Sequence, residues 1–518
     1  MKRVTVLIVL AAMVLSVLAG CSPKPQTEGP KTPSVSAKDD VVIGLAVSLA
    51  SLVPTSAYSR EEQYVIHNVY DTLFRYENGQ YVPCLAESWT ISEDLKTVTL
   101  KLRQDVTFHN GEKFSSKDVV YTFSNFDNPS FTFWNNSAKY IKGVKAVDDY
   151  TVEIYGPETD VYLLTVIAGT EIINEKAVMD AGIDNKFAPC GTGPYKFVSY
   201  DKHDTIILER NDSYWGFKGK ELPPIKKVTY KVFADEQTEA MALQAGEIDF
   251  VAKMSPSNAM PFTKMPGYAV NWLDADGNNL ILFNCTSGPF ANKLVRQAVA
   301  YAIDRDAINT IVFEGVAKPW DYFYSPRQAG APDYDSLPHF TYDVDKAKSL
   351  LAEAGYPDGF KLSKKVPIMA SMERYVVAVQ QQLAKVGITF DIETLEQNTL
   401  YSKIFALDYE MLPFSLSTEI YDLSYQSKRY YSPAVQPPAF PFGEFGNAEI
   451  DALITAGSTT ADLAARIQAY TELHKIIFEE QPLVSVTLNQ TAIVRKDKLQ
   501  YKTPDVLKVR VENLYWVE

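Results

Sequence analysis

A reaction centre in this 518-residue chain would have to come from five histidines, four cysteines and 64 carboxylates. His67, His109, His203, His339 and His474 never share a helical turn, so no preformed zinc site is expected. Cys84, Cys190 and Cys285 form no CxxC pair and leave two options open, one disulfide with a spare thiol or three buried thiols. No GxSxG elbow, HExxH helix or GxxxxGK phosphate loop occurs. Gly191-Thr192-Gly193-Pro194 opens like a dinucleotide loop but continues with Tyr195 and Lys196 where a third glycine belongs, which reads as a tight turn. No spacing rule singles out two carboxylates as an acid–base pair. None of these patterns gives positive evidence of catalysis; the expectation is that the chain is not an enzyme and has no catalytic residues, cofactor or metal.

Aromatic side chains offer a different chemistry. The chain has 31 Tyr, 26 Phe and 6 Trp, and they crowd two proline-marked stretches. One is Trp320-Asp321-Tyr322-Phe323-Tyr324. The other runs from Phe414 through Tyr421, Tyr425, Tyr430, Tyr431, Phe440 and Phe442 to Phe445. Such loops suit a ligand cleft, where rings supply stiff contact area and Tyr hydroxyls orient a polar solute. The same rings serve equally well as core beneath a long loop.

Local patterns predict the elements that would position these residues. In KTVTLKLRQDVTFHNGEKF, from Lys96, Val98, Leu100 and Leu102 alternate with Thr97, Thr99 and Lys101, as in a half-buried strand. Asn110-Gly111 then supplies a hairpin turn between Phe108 and Phe114. Ser115-Ser116-Lys117-Asp118 is a capping box before Val119, Val120, Tyr121 and Phe123. Asp343 and Gly355 bracket a helical stripe of Ala347, Leu350, Leu351 and Ala354, and Asp304 and Gly315 bracket a shorter helix. Strands and helices alternate without a solenoid-like repeat, so the class is mixed α/β.

Met1, Lys2 and Arg3 followed by the apolar run from Val4 to Leu18 read as a secretory signal. The run closes on Leu18-Ala19-Gly20-Cys21, which resembles the lipobox cut before a cysteine that receives a diacylglyceryl group. Cys21 is then residue one of the mature protein. Ser22 to Lys38, rich in Pro, Ser, Thr and Lys, reads as a tether. A net charge of −14 and a pI near 5.0 argue against nucleic acid, whose phosphates require a concentrated basic surface.

Several segments together resemble the family 5 extracellular solute-binding proteins, which include the oligopeptide-, dipeptide- and nickel-binding components of ABC importers. YDTLFRYENGQYVPCLAESW, from Tyr70, leads into the alternating strand, VTFHNG and the capped helix in the family's order. CGTGPYKFVSYDKHDTIILERNDSYWG from Cys190, ALQAGEIDF, PFANKLVRQAVAYAIDRDAI from Pro289, YDVDKAKSLLAEAGYPDGF from Tyr342 and IIFEEQPLVSV continue the likeness over residues 41–518. The resemblance implies a two-lobe clamp of periplasmic-binding type with an extra inserted domain. Signal 1–20 and tether 21–39 would precede a first lobe formed by 40–70, 188–280 and 480–518. An inserted domain at 71–187 and a second lobe at 281–479 complete it. Trp89, Phe108, Asn110, Gly111, Pro194 and Tyr195 would be scaffold.

In peptide-binding relatives, an Asp in a second-lobe loop receives the peptide's α-amino group. The matching stretch here is Ser415-Leu416-Ser417-Thr418-Glu419-Ile420-Tyr421-Asp422-Leu423, with Glu419 at the Asp position and Leu423 where the family has proline. A slipped register would give that role to Asp422. The candidate ligand residues are thus Glu419, Asp422, Tyr421, Tyr425, Trp320 and Tyr322, with Cys21 for lipid. The implied function is capture of a small solute outside the cytoplasm by a lipid-anchored monomer that delivers it to an ABC permease. A short peptide leads, and an oligosaccharide follows because rings are many and cations few. Nickel is weaker, since 411–445 holds no histidine. A surface sensor and a cell-wall-fragment hydrolase are the rivals from other classes.

Overall fold

The computed structural model describes residues 36–47, 49–57, 59–77, 80–131, 138–201, 205–417, 422–432, 445–502 and 508–518. Cys21, Glu419 and Tyr421 lie outside these residues, as do His203, Phe440 and Phe442.

A nine-stranded mixed sheet organises the chain. Its order is Met411–Ser417, Tyr268–Phe283, Leu483–Lys496, Phe250–Met254, Asp40–Ala46, Lys227–Phe233, Thr205–Arg210 and Tyr195–Tyr200, with Lys318–Pro319 added beside Leu483–Lys496. Asp40–Ala46 lies parallel to both neighbours and buries both faces, which explains its nearly unbroken apolar sequence DVVIGLA. Tyr268–Phe283 has 16 residues, and at a rise near 3.3 Å spans roughly 50 Å, enough to run through both lobes. It pairs antiparallel with Leu483–Lys496, and their register slips between Asp274 and Asn278 and again between Asn279 and Leu280. On either side of these slips the strands face different cores. Ile493 belongs to one apolar cluster with Val41, Ile43 and Leu208, while Ala492 and Val494 face another with Leu243 and Met254. Beyond the slips, Ile281, Phe283, Val484 and Val486 face a third cluster, and Leu280, Leu282, Leu483 and Leu488 a fourth. The fold is therefore a two-lobe α/β body crossed by two long strands.

At the crossing, Asn278 donates its side-chain N–H to Tyr322 O at 3.1 Å and to Phe323 O, and Asn279 donates to Thr487 Oγ1 at 3.0 Å. The two buried side-chain amides thereby find hydrogen-bond partners.

A four-stranded antiparallel sheet, in the order Ala86–Ile91, Thr97–Leu102, Thr151–Tyr155, Gly143–Asp148, packs on the first lobe. Its Val98, Leu100, Leu102, Val152 and Ile154 share one continuous core with Val41, Ile43 and Tyr195. Val98, Leu100 and Leu102 are buried as their alternation predicts, at about 2 kcal/mol each. Ser115 and Asp118 close a reciprocal capping box on helix Ser116–Ser124. Gly111 takes φ +89° in the turn after Phe108. Asp343 caps Val344–Glu353, with Gly355 at φ +93° behind it, and Asp304 caps Arg305–Phe313. Glu314, one residue before Gly315, also takes a left-handed conformation at φ +58°, which the sequence did not predict. All three described thiols are free, so the disulfide option fails; Cys84 is buried, and Cys190 and Cys285 are half-buried.

Candidate functional site

Asp422 starts helix Leu423–Tyr431, beyond the end of edge strand Met411–Ser417. Its Oδ1 accepts the Ser424 N–H at 2.8 Å, an N-cap, and also meets Arg466 Nη2 at 2.6 Å. Arg466 projects from helix Leu463–Glu480 and donates its Nε–H to Gly457 O at 3.0 Å. Burial disfavours the Arg466 charge, yet the Asp422 carboxylate outweighs it and holds the guanidinium above its ordinary value. Asp422 Oδ2 and Ser424 Oγ are buried and have no hydrogen-bond partner among the described residues. A bridge to Ala329 and a 2.8 Å bond between Gln328 Nε2 and Gln426 Oε1 tie the helix to the segment after Tyr324.

The segment from Phe74 to Ala168, which shares the first lobe's core, faces this helix with tyrosines. Tyr76 and Tyr81 come from the hairpin Phe74–Glu77 and Gln80–Pro83 and pack edge to face at 5.2 Å. Tyr162, from helix Tyr162–Ala168, stacks on Tyr425 at 5.1 Å and 24°, and Tyr140 lies across both rings. Tyr81 shares a 3.0 Å hydrogen bond with Thr165. Burial, helped by the Asp422 carboxylate, pushes Tyr76 up to about 12, and burial raises Tyr81, Tyr140 and Tyr162 as well. These hydroxyls therefore keep their protons and serve as neutral donors and acceptors.

Burial pushes the Cys84 thiol up to about 12 and Cys285 to about 11, and pulls His109 and His474 down to about 4. Among the described residues no three His, Cys, Asp or Glu side chains converge as a metal site. The arrangement brings aromatic rings and a buried ion pair together around helix Leu423–Tyr431.

Asp422 and Tyr425 thus stand at the junction. Trp320 and Tyr322 lie within the second lobe's own core, 6% and 4% exposed. Trp320 donates its Nε1–H to Tyr324 O at 3.1 Å, Tyr322 donates to Pro338 O, and both rings pack on Tyr334. Glu419 and Tyr421 lie outside the described residues. Arg466, Asp160, Tyr81, Tyr140 and Tyr162 were not anticipated. Only the general excess of tyrosine hinted at the last three, because their partners are far away in the sequence.

Residues 80–437 match the family described as bacterial extracellular solute-binding proteins, family 5 middle. The chain is 29% identical to the glutathione-binding protein GsiB of Salmonella paratyphi A over 474 residues, covering 88% of this chain and 90% of that one. HbpA2 from Haemophilus parasuis shares the fold, with a TM-score of 0.83 at 22% identity over 92% of this chain and 99% of its own. DppA from Helicobacter pylori, solved in complex with the peptide STSA, gives 0.68 at 25% identity over 92% and 98%. No described helix is long and apolar enough to cross a membrane.

Proposed function

The chain belongs to the bacterial extracellular solute-binding proteins of family 5, and from that premise we propose that it captures a short peptide outside the cytoplasm and delivers it to an ABC permease. The observation that carries this reading is the junction where the buried Asp422–Arg466 pair meets Tyr76, Tyr81, Tyr162 and Tyr425. Rings give stiff contact at low entropic cost, and protonated hydroxyls match the amides of a peptide. A relative named for binding glutathione and another solved with a peptide support a small peptide-like solute. Solute that touches both lobes only when they are together shifts the open–closed balance toward closure.

On this reading 40–70, 188–280 and 480–518 form one lobe, 71–187 an inserted domain and 281–479 the other lobe. Cys21 carries the lipid at the head of the 21–39 tether, and the chain works as a monomer that binds without turnover. Mass spectrometry of solute carried through purification tests the assignment, backed by melting with di- to pentapeptides and oligosaccharides. Solute at 100 times its Kd should stabilise the fold by roughly 2.7 kcal/mol. Stabilisation by oligosaccharides with none by peptides would transfer the site to sugars, with the tyrosines as stacking platforms. Cys21→Ala should move the protein from the membrane to the aqueous phase, and unchanged partitioning would remove the anchor.

A further inference from the structure

Helix Leu423–Tyr431 is held from the opposite lobe by groups outside the ligand-reading loop. Asp160 Oδ2 pairs with Lys428 Nζ at 2.7 Å, although 268 residues separate them. The Asp160 side chain is 8% exposed, and its Oδ1 accepts the Tyr162 N–H at 2.9 Å. One carboxylate therefore both accepts the N–H of the first residue of helix Tyr162–Ala168 and reaches across to the second lobe. Beside it, Ser458 O accepts the Val161 N–H at 2.9 Å, and Tyr162 stacks on Tyr425. Tyr162 belongs to the first lobe's core and Tyr425 packs against that core, whereas Leu423, Tyr430 and Tyr431 belong to the second lobe's. The helix that Asp422 begins is thus shared between the two bodies.

We propose that Asp160, with Val161, is a positioning element for solute capture: it fastens helix Leu423–Tyr431 when the lobes are together and so sets the closed population without touching solute. The inference rests on the clamp reading above. A contact that exists only with the lobes together adds its whole free energy to the closed state, and the apparent affinity follows the closed fraction. The inserted part of the chain then has a role in binding, as a fastener independent of which solute is bound.

The test uses the full mature chain stripped of solute, with dyes carried by unnatural amino acids at Met179 and Ile311, which are 58% and 64% exposed on opposite lobes. Asp160→Asn keeps the acceptor for the Tyr162 N–H and removes the charge, and Lys428→Gln removes the partner. Each variant should lengthen the inter-lobe distance in the unliganded protein and lower the closed fraction by about threefold or more. The double variant should go no further than either single one, and the charge swap Asp160→Lys with Lys428→Asp should recover part of the loss. Distance distributions identical to wild type overturn the proposal, and so does a lowered melting temperature with unchanged distances. The clamp reading is read separately from the wild type's own shortening on addition of glutathione or a peptide panel. A wild type that closes while its variants keep the same unliganded distribution sinks only the fastener.

Discussion

Asp422 and Arg466, 44 residues apart in the chain, meet at 2.6 Å with side chains 0% and 4% exposed. A pair so buried is held by both its members, because either charge alone would be left without water or a counter-ion. Arg466→Met should therefore destabilise the unliganded protein by about 3–5 kcal/mol in urea unfolding. The double variant Asp422→Asn with Arg466→Met, which removes both charges and keeps the helix cap, should recover part of that loss. A double variant as unstable as the single one would mean that the pair's hydrogen bonds matter more than its charge balance.

Glu239 predicts a pH dependence that the site does not involve. It is 1% exposed, lies against Gly44 and Ile248, and its Oε2 has no hydrogen-bond partner among the described residues. Burial, reinforced by Glu236 and Glu61 and only partly offset by Lys253, lifts its pKa from 4.5 to about 8. The folded protein thus keeps a proton that the unfolded chain releases at lower pH. The stability this gives is fully present below about 4.5 and is lost as the pH rises through about 8. Glu239→Gln should match wild type near pH 4.5 and exceed it by ~3–5 kcal/mol above pH 8. Parallel stability curves for the two proteins across that range would refute the assignment.

Gly193 seats the Gly191-Thr192-Gly193-Pro194 bend against the end of helix Arg60–Val69. Its N–H donates to Val69 O at 2.9 Å, and a Cβ there would stand 2.6 Å from Val69 C and 2.8 Å from Asn68 O. Both are backbone atoms and cannot rotate away. Gly193→Ala should cost about 3 kcal/mol in thermal melting. Gly143→Ala, whose nearest neighbour is the Tyr155 ring at 4.0 Å, should be close to neutral. Equal effects at the two positions would mean that the close approach relaxes.

The strand Thr97–Leu102, the Ser115–Asp118 box and the Asp343 cap were legible because each depends on residues within a few positions of one another. Family motifs carried the two-lobe class further than periodicity alone. The pairing of Tyr268–Phe283 with Leu483–Lys496 was not legible, because it joins segments about 200 residues apart and no local period encodes a partner. Separations of 44 and 268 residues likewise hid Arg466 from Asp422 and Lys428 from Asp160. Trp320 and Tyr322 show the opposite difficulty: a ring cluster in sequence looks alike whether it lines a cleft or fills a core.

The engagement of Asp422 with Arg466 and Ser424 also separates the two carboxylates offered for a peptide's ammonium. A desolvated ammonium left unpaired would cost several kcal/mol, so a peptide site needs an acceptor charge. Asp422 already neutralises a guanidinium and caps a helix through Oδ1, which leaves Glu419 as the better partner. Glu419→Gln should weaken binding of a free-amine peptide by about tenfold or more, with the unliganded melting temperature unchanged. N-acetylating the peptide should cause a similar loss in wild type and little further loss in the variant. Asp422→Asn should do the reverse, lowering the unliganded melting temperature while the protein still distinguishes free from acetylated peptide. If Asp422→Asn abolishes that distinction and Glu419→Gln preserves it, the ammonium belongs to Asp422, whose Oδ2 has no hydrogen-bond partner among the described residues.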